Sequence, residues 1–499
     1  MRIIQFLGLL TLINGFIHPI TTKGRYFVDS ITDEPVSKQN EDNNILMVIM
    51  EFCLIFFFTN RFLFIIKGVD YQPGGSSGIT LDQDPLSNPE TCSRDIVLFQ
   101  NLGINTIRVY STNTNLNHDV CMSLLAAAGI YLILDVNSPL TNRHLNRYEP
   151  WSSYNHNYLS NVFQVVEQFS TYNNTLGFFA GNEIINDQLS AKNSPVYIKA
   201  LIRDIKNYIS INSPRFVPVG YSAADDLSYR MPVSEYLECV EHHPSEAIDF
   251  YGVNSYQWCG DQDIHSSGYD ILINDYKQYS KPVFFSEYGC NEVLPRTFTE
   301  VKALYSNQMI DVFCGGLVYE FSQEPNNYGL VKIRDNNDVE LLSDYFQYQY
   351  QLDTIPAINF QQIKKNLLKH QNQVAKSKKP PIHKCLPQYK NIDISLGVPK
   401  NVEGIGELIQ RGSNVTNGKL IEVDLNDFTN KFNIFANQNQ PYLLPNKIAR
   451  VSNFEIVKNP NNSEFDTSST LYSNKNKPLS VQVLFSKVSA HFRRMGHHN

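Results

Sequence analysis

The sequence predicts an α/β fold, a (β/α)8 TIM barrel with a C-terminal extension, on three observations. Short apolar, β-rich runs recur eight times between Phe64 and Phe321, separated by turns and amphipathic stretches. That alternation is the signature of a parallel sheet covered on both faces. Two of the runs end in a glutamate: KPVFFSEYGCNE, Lys281 to Glu292, delivers Glu287, and TLGFFAGNE, Thr175 to Glu183, delivers Glu183 directly after Asn182. Other runs end in Gln72, Tyr110, Asp135, Tyr256 and Tyr319 with Glu320, at the strand ends where barrels of this kind carry their active face. A doubly wound open sheet is the competing arrangement.

At 499 residues the chain holds one large domain plus appendages, and 42% hydrophobic residues is ordinary for a globular protein. A net charge of −7 gives no electrostatic ground for a nucleic-acid partner. The 28 tyrosines against 2 tryptophans suit sugar-stacking walls and a large core equally. No internal repeat, phosphate loop or metal-ligand cluster stands out, so neither a cofactor nor a metal is expected.

Residues 1–20 read as a secretory leader: Met1-Arg2 is the positive start, and Ile3 to Ile17 is an apolar core broken by Gln5, Thr11 and Asn14. A buried first helix is the alternative. A secreted chain would carry its eight cysteines into an oxidising compartment and could bear glycans at Asn173, Asn414 and Asn461. Gly24 to Pro35 and Arg61 to Tyr71 are expected as the two strands of an N-terminal hairpin.

Between them, residues 36–61 form an atypical insert. Val36 to Asn44 is polar and acidic, whereas Ile45 to Phe58 is apolar apart from Glu51. A membrane span needs about 20 apolar residues, and Thr59, Asn60 and Arg61 interrupt this one. A transmembrane helix, a buried or membrane-surface insertion, and a segment foreign to the mature protein all stay open.

The expected barrel domain runs from 24 to 350. Its strands are Phe64 to Tyr71, Thr106 to Ser111, Tyr131 to Val136, Thr175 to Glu183, Phe216 to Ser222, Phe250 to Tyr256, Val283 to Gly289 and Gly316 to Phe321. Helical patterns lie between them at Cys92 to Leu102, Asp119 to Ala128, Leu159 to Tyr172, Val196 to Ile211 and Thr299 to Phe313, each with an apolar stripe to turn inward. After Tyr350 the character changes. Lys364 to Lys384 is basic with Pro380 and Pro381, and from Asn401 onward Asn, Lys and Ser dominate. Residues 351–499 are expected as an extension, partly loosely ordered, with a small β-rich region near Cys385.

Singly, each strand-end residue has a plain explanation. Glu287 could pair with a basic neighbour, a tyrosine could bury its hydroxyl in the core, and a strand-end aspartate could cap a helix. Together they describe a polar, aromatic-walled cleft of sugar size with two carboxylates. A retaining glycosidase needs that pair roughly 5 to 5.5 Å apart, one attacking the anomeric carbon and the other protonating the leaving oxygen.

At these residues the chain resembles a known family. KGVDYQPGG (67–75), DPLSNPETCSRDI (84–96), GFFAGNE (177–183), YGVNSYQWCG (251–260) and FFSEYGCNEV (285–293) are similar to the fungal β-1,3-glucanosyltransferases of glycoside hydrolase family 72. The resemblance implies a TIM barrel, retaining chemistry on β-1,3-glucan donor and acceptor, and a setting at the cell wall or the outer face of the plasma membrane. It implies Glu183 as general acid/base, Glu287 as nucleophile, and Gln72, Tyr110, Asp135, Asn182, Tyr256 and Tyr319 as substrate-binding residues. It also implies disulfides Cys92–Cys121, Cys259–Cys290 and Cys239–Cys385, leaving Cys53 and Cys314 over. The chain resembles the shorter subgroup, without the Cys-rich glucan-binding module. Members usually carry a membrane anchor of the GPI type, for which the polar end FSKVSAHFRRMGHHN offers no apolar tail. A purely hydrolytic endo-β-1,3-glucanase and a catalytically silent glucan-binding wall protein are the alternatives to transfer.

Overall fold

The computed structural model describes residues 17–30, 63–75, 78–80, 82–356, 358, 384–436 and 439–451. The insert at 36–61, with Cys53, and most of the expected leader lie outside these residues. Among the described residues no helix is long and apolar enough to cross a membrane.

Eight parallel strands close into a barrel: β4 (Ile66–Asp70), β5 (Thr106–Val109), β6 (Tyr131–Asp135), β7 (Thr175–Asn182), β8 (Val219–Ala224), β9 (Phe250–Asn254), β10 (Val283–Tyr288) and β11 (Phe313–Val318), which returns to β4. Every residue of β5, β6, β9, β10 and β11 is buried, which is why these strands read as continuous apolar runs rather than alternating ones. Closure depends on Gly315. Its φ of +89° and a Cβ that would meet the Ile66 carbonyl oxygen at 2.0 Å leave glycine as the residue that lets β11 reach β4.

Three short strands close the N-terminal end: β1 (Ile20–Lys23), β2 (Tyr26–Asp29) and β3 (Leu63–Phe64), paired antiparallel in that order. From this sheet Phe27 packs against Phe250 and Phe284 at ring-centroid distances of 5.7 and 5.8 Å. The barrel floor is thus aromatic. The run predicted as one strand from Arg61 to Tyr71 is therefore two, β3 pairing with β2 and β4 entering the barrel. Ile17 and Ile20 are buried, and the His18 carbonyl accepts a 2.7 Å hydrogen bond from Tyr131. A leader removed after residue 20 would take these contacts with it.

The helices start and stop where their caps allow. In α1 (Pro89–Leu102) the Asn88 side chain accepts from the Glu90 and Thr91 amides, Pro89 occupies the first turn, and Gly103 ends the helix with φ +72°. The other barrel helices used below are α2 (Asp119–Ala127), α3 (His156–Ser170), α4 (Pro195–Asn212), α5 (Glu300–Leu304) and α6 (Ser343–Asp353). The helix predicted over Thr299 to Phe313 is broken. Ser306 caps a new turn, Asn307–Ile310, through the Met309 amide, and Phe313 already belongs to β11. The last strand consequently runs three residues earlier than predicted, and Tyr319 and Glu320 lie just beyond its end. β8 likewise starts at Val219 rather than Phe216, because Pro218 lacks the amide a strand interior needs and Phe216 is exposed.

Disulfides join Cys92 to Cys121, Cys259 to Cys290 and Cys239 to Cys385. Cys314 is free and buried, and burial pushes its thiol up to about 12. Of the stretch that composition placed in a linker or tail, residues 401–436 and 439–451 form a strap around the barrel's helices. Its helix α7 (Ile405–Arg411) packs on α4, where Asn212 donates to the Ile409 carbonyl at 2.8 Å. The strap then gives backbone amides to Glu167 of α3 and to Asp119 and Ser123 of α2, each at 2.8 Å. Its strand β14 (Ile434–Ala436) adds to a small sheet with β12 (Val331–Ile333), β13 (Val339–Leu341) and β15 (Gln440–Pro441). Besides these amides, Ile405, Leu408, Ile409, Leu420, Val423, Ile434 and Ile448 are buried against the barrel's core at irregular spacing, so the segment is held without a regular apolar period.

Candidate active site

All eight predicted site residues meet at the C-terminal mouth of the barrel. Glu287, in β10, is buried and held from three sides: Tyr110 and Tyr256 each donate a hydroxyl at 2.8 Å, to Oε1 and Oε2 respectively, and Arg108 approaches Oε1 at 3.1 Å. Burial raises the Glu287 carboxyl above its ordinary range. Arg108 is the largest influence pulling it back, Glu183 pushes it up again, and the two tyrosines lower it. Donors on both oxygens favour the charged form.

Glu183 sits across the mouth at the end of β7. Its φ of +46° is a left-handed conformation rare for a side chain of this size. Its amide bonds the Ser222 carbonyl of β8 at 2.8 Å, and its Oε1 accepts from Asn254 at 2.8 Å. Asn254 is the register partner of Glu287 between β9 and β10, so one amide stands between the two carboxyls. Asn182 faces the same junction, its Oδ1 accepting from Ser222 at 2.7 Å and from Asn254 at 3.0 Å.

The remaining predicted residues divide between wall and support. Gln72 spends its carboxamide on the loop after β5, accepting from the Tyr110 and Ser111 amides at 3.0 and 3.1 Å, which fixes Tyr110 beneath Glu287. Asp135 is turned toward Arg108 and receives its fork at 2.8 and 3.2 Å. Tyr319 stands edge-on to Tyr110 and Tyr256, each at 6.4 Å, and to Tyr328 at 5.2 Å, forming an aromatic wall. Glu320 behind it is almost fully buried, accepts from Asn326 at 2.8 Å and is pushed up to about 7 by burial.

Three residues of this constellation went unpredicted: Arg108, Asn254 and Asp70. Arg108 is fully buried, stacked between the rings of Tyr110 and Phe179 at 4.3 and 4.7 Å, and shared by Asp135 and Glu287. The signal available was a charge inside an otherwise apolar strand, TIRV, and the same signal marks Asp70 in IKGVD. Among the described residues, one group with metal-ligand spacing occurs, Cys259, Cys290 and Glu292, and its two sulfurs are bonded to each other.

A closed eight-stranded barrel with two glutamates at its mouth, one gripped by donors on β10 and one at the end of β7, has the layout of a two-carboxylate glycoside-processing enzyme. The sequence profile of the glucanosyltransferase family, glycoside hydrolase family 72, matches residues 37–356, and the chain belongs to that family. Over 447 residues it is 50% identical to the 1,3-beta-glucanosyltransferase GAS4 of Saccharomyces cerevisiae, covering 89% of this chain and 86% of that protein. It is 49% identical over 372 residues to the 1,3-beta-glucanosyltransferase gel2 of Aspergillus fumigatus, covering 74% and 76%. Among solved structures, Saccharomyces cerevisiae Gas2p in complex with laminaritriose and laminaritetraose is 34% identical, with a TM-score of 0.64 over 78% of each chain.

Proposed function

We propose that this protein cleaves a β-1,3-glucan internally and transfers the newly formed reducing end to the non-reducing 3-hydroxyl of a second glucan, in fungal cell-wall assembly. The observation that carries the reading is the unequal treatment of the two carboxyls. Glu287 receives three donors and Glu183 one amide, which suits an ionised nucleophile facing an acid/base that must give up and regain a proton.

Glu287 attacks the anomeric carbon while Glu183 protonates the glycosidic oxygen, and the distal part of the donor leaves. A covalent glycosyl-enzyme remains. Glu183, now a base, takes the proton of the incoming 3-hydroxyl, whose oxygen displaces Glu287 with net retention. Asn182, beside the acid, is suited to the 2-hydroxyl of the reacting sugar, and Tyr319 with Tyr256 and Tyr328 is suited to stacking on neighbouring rings. The glucanosyltransferase names of the relatives support transfer over hydrolysis. A wall-bound site of action requires secretion, with a leader ending before Ile17 because the fold uses Ile17 and Ile20.

The test is to incubate the protein with an end-labelled β-1,3-gluco-oligosaccharide and size the products. Species longer than the starting sugar are expected, and Glu183→Gln and Glu287→Gln should each abolish them. Shorter species alone would replace transfer with hydrolysis. Binding without any product would make the protein a silent glucan-binding wall component, and near-full activity in either variant would overturn the assignment of that residue.

A further inference from the structure

Asp70 ends β4, two strands round the barrel from β10, and feels the charge of the candidate nucleophile. It is completely buried, and neither of its carboxyl oxygens has a hydrogen-bond partner among the described residues. An ionised carboxylate in that condition is among the costliest groups a protein can bury. Relief by salt bridge is already spent. Arg108, its register partner on β5, commits Nε and Nη2 to Asp135 and Nη1 to Glu287 and the Ser286 carbonyl.

Around Asp70, β5 contributes Arg108, the loop after it Tyr110, β6 Asp135, β10 Glu287, the loop after β9 Tyr256, the segment after β11 Tyr319 and Glu320, and α6 Tyr348. Asp70, Asp135 and Glu287 thus share one guanidinium, while Glu320 adds its charge from the side and is eased by Arg296. Asp135 and Glu287 have its hydrogen bonds and Glu320 has Asn326, so Asp70 is the member with no hydrogen bond to stabilise a charge among the described residues.

We infer that Asp70 is a positioning residue that stays protonated beside Glu287, so that Arg108 remains committed to Asp135 and Glu287 and the negative charge of the cluster resides on the nucleophile. The inference rests on the assignment of Glu287 made above. Burial, the largest influence, drives the Asp70 carboxyl well above the ordinary range, and Arg108 only partly opposes it. The chemical consequence is directional. Were Asp70 ionised, its charge would compete for Arg108 and make Glu287 easier to protonate, removing the nucleophile at mildly acidic pH.

The sign of the linkage gives a test that needs no turnover. Unfolded Asp70 releases its proton near pH 4 while the folded form keeps it, so wild-type stability drops as pH rises above about 4 until the folded carboxyl ionises. Asp70→Asn cannot ionise and lacks that drop. The melting temperature of the full-length variant, measured against wild type from pH 4 to 7, should gain by on the order of 2–4 °C across the series. Asp70→Ser, also uncharged, should show the same trend whatever its baseline. In kcat/KM profiles of Asp70→Asn the acid limb should stay where it is in wild type. A melting difference independent of pH in both variants, or an acid limb displaced to lower pH by half a unit or more, would mean that Asp70 is charged and overturn the inference. Failure of the Glu287 assignment is read separately, from turnover by Glu287→Gln.

Discussion

Replacing Tyr256 by phenylalanine removes one oxygen and leaves the ring. The ring's contacts with Tyr319 and Tyr328, at 6.4 and 5.7 Å, are kept, so the loss is confined to the 2.8 Å hydrogen bond on Glu287 Oε2. A hydrogen bond to a charged partner contributes about 1.5–3 kcal/mol, equivalent to roughly one to two pKa units on the group that receives it. Glu287 is already raised by burial, and Tyr256 is one of the groups pulling it down. Without it the carboxyl rises further, and the ionised nucleophile is lost at a higher pH on the acid side. The expected result is an acid limb of kcat/KM moved up by about one to two units, so that activity at a pH on that limb falls roughly 10- to 100-fold and recovers as the pH is raised. The assay is transfer of an end-labelled β-1,3-gluco-oligosaccharide at a series of pH values. An acid limb in its wild-type position, with a uniform loss at all pH values, would refute the reasoning, because the hydroxyl would then act on substrate and not on the charge of Glu287.

Arg108→Lys keeps the charge but loses the planar fork that serves Asp135 and Glu287 together; kcat/KM should fall by at least about 100-fold, and a variant within a few-fold of wild type would show that a point charge suffices. Glu300, in α5, is buried and raised to about 7, so it withdraws stability as pH climbs from about 4.5 through 7; in denaturant unfolding Glu300→Gln should therefore be more stable than wild type at pH 8, by on the order of 3 kcal/mol, and should show little or no gain at pH 4. Cys239–Cys385 closes a loop with a sequence separation of 146, and chain entropy assigns such a bond up to about 5 kcal/mol. Cys385→Ser should lower the melting temperature and increase proteolysis of the strap between 384 and 451, whereas an unchanged melt would mean that the strap's own contacts hold it.

How the chain becomes a barrel is written locally. Strands such as Tyr131–Asp135 and Val283–Tyr288 are buried along their whole length and so appear as unbroken apolar runs, and helices such as α1 carry their own stop and start signals in Asn88, Pro89 and Gly103. Glu183 and Glu287 were legible for the same reason, each closing a run that otherwise holds no charge. Boundaries were less so: the split of Arg61 to Tyr71 into two sheets and the break at Ser306 depend on which neighbours supply hydrogen bonds, and the strap of residues 401–436 and 439–451 shows no period because its buried residues, such as Ile405, Leu420 and Ile434, are irregularly spaced and its amides bond to helix side chains such as Glu167 and Asp119.

The sequence by itself determined the succession of strands and the polar residues that close them at the mouth, because each follows from one residue and its near neighbours. Only the tertiary structure decided what those residues do to one another. Arg108 meets Asp135 across 27 residues and Glu287 across 179, Asn254 comes between two carboxyls from different strands, and Asp70 is left without a hydrogen-bond partner among the described residues. Charge states at the mouth are set by burial and by donors within about 3 Å, and those distances exist only once the barrel has closed.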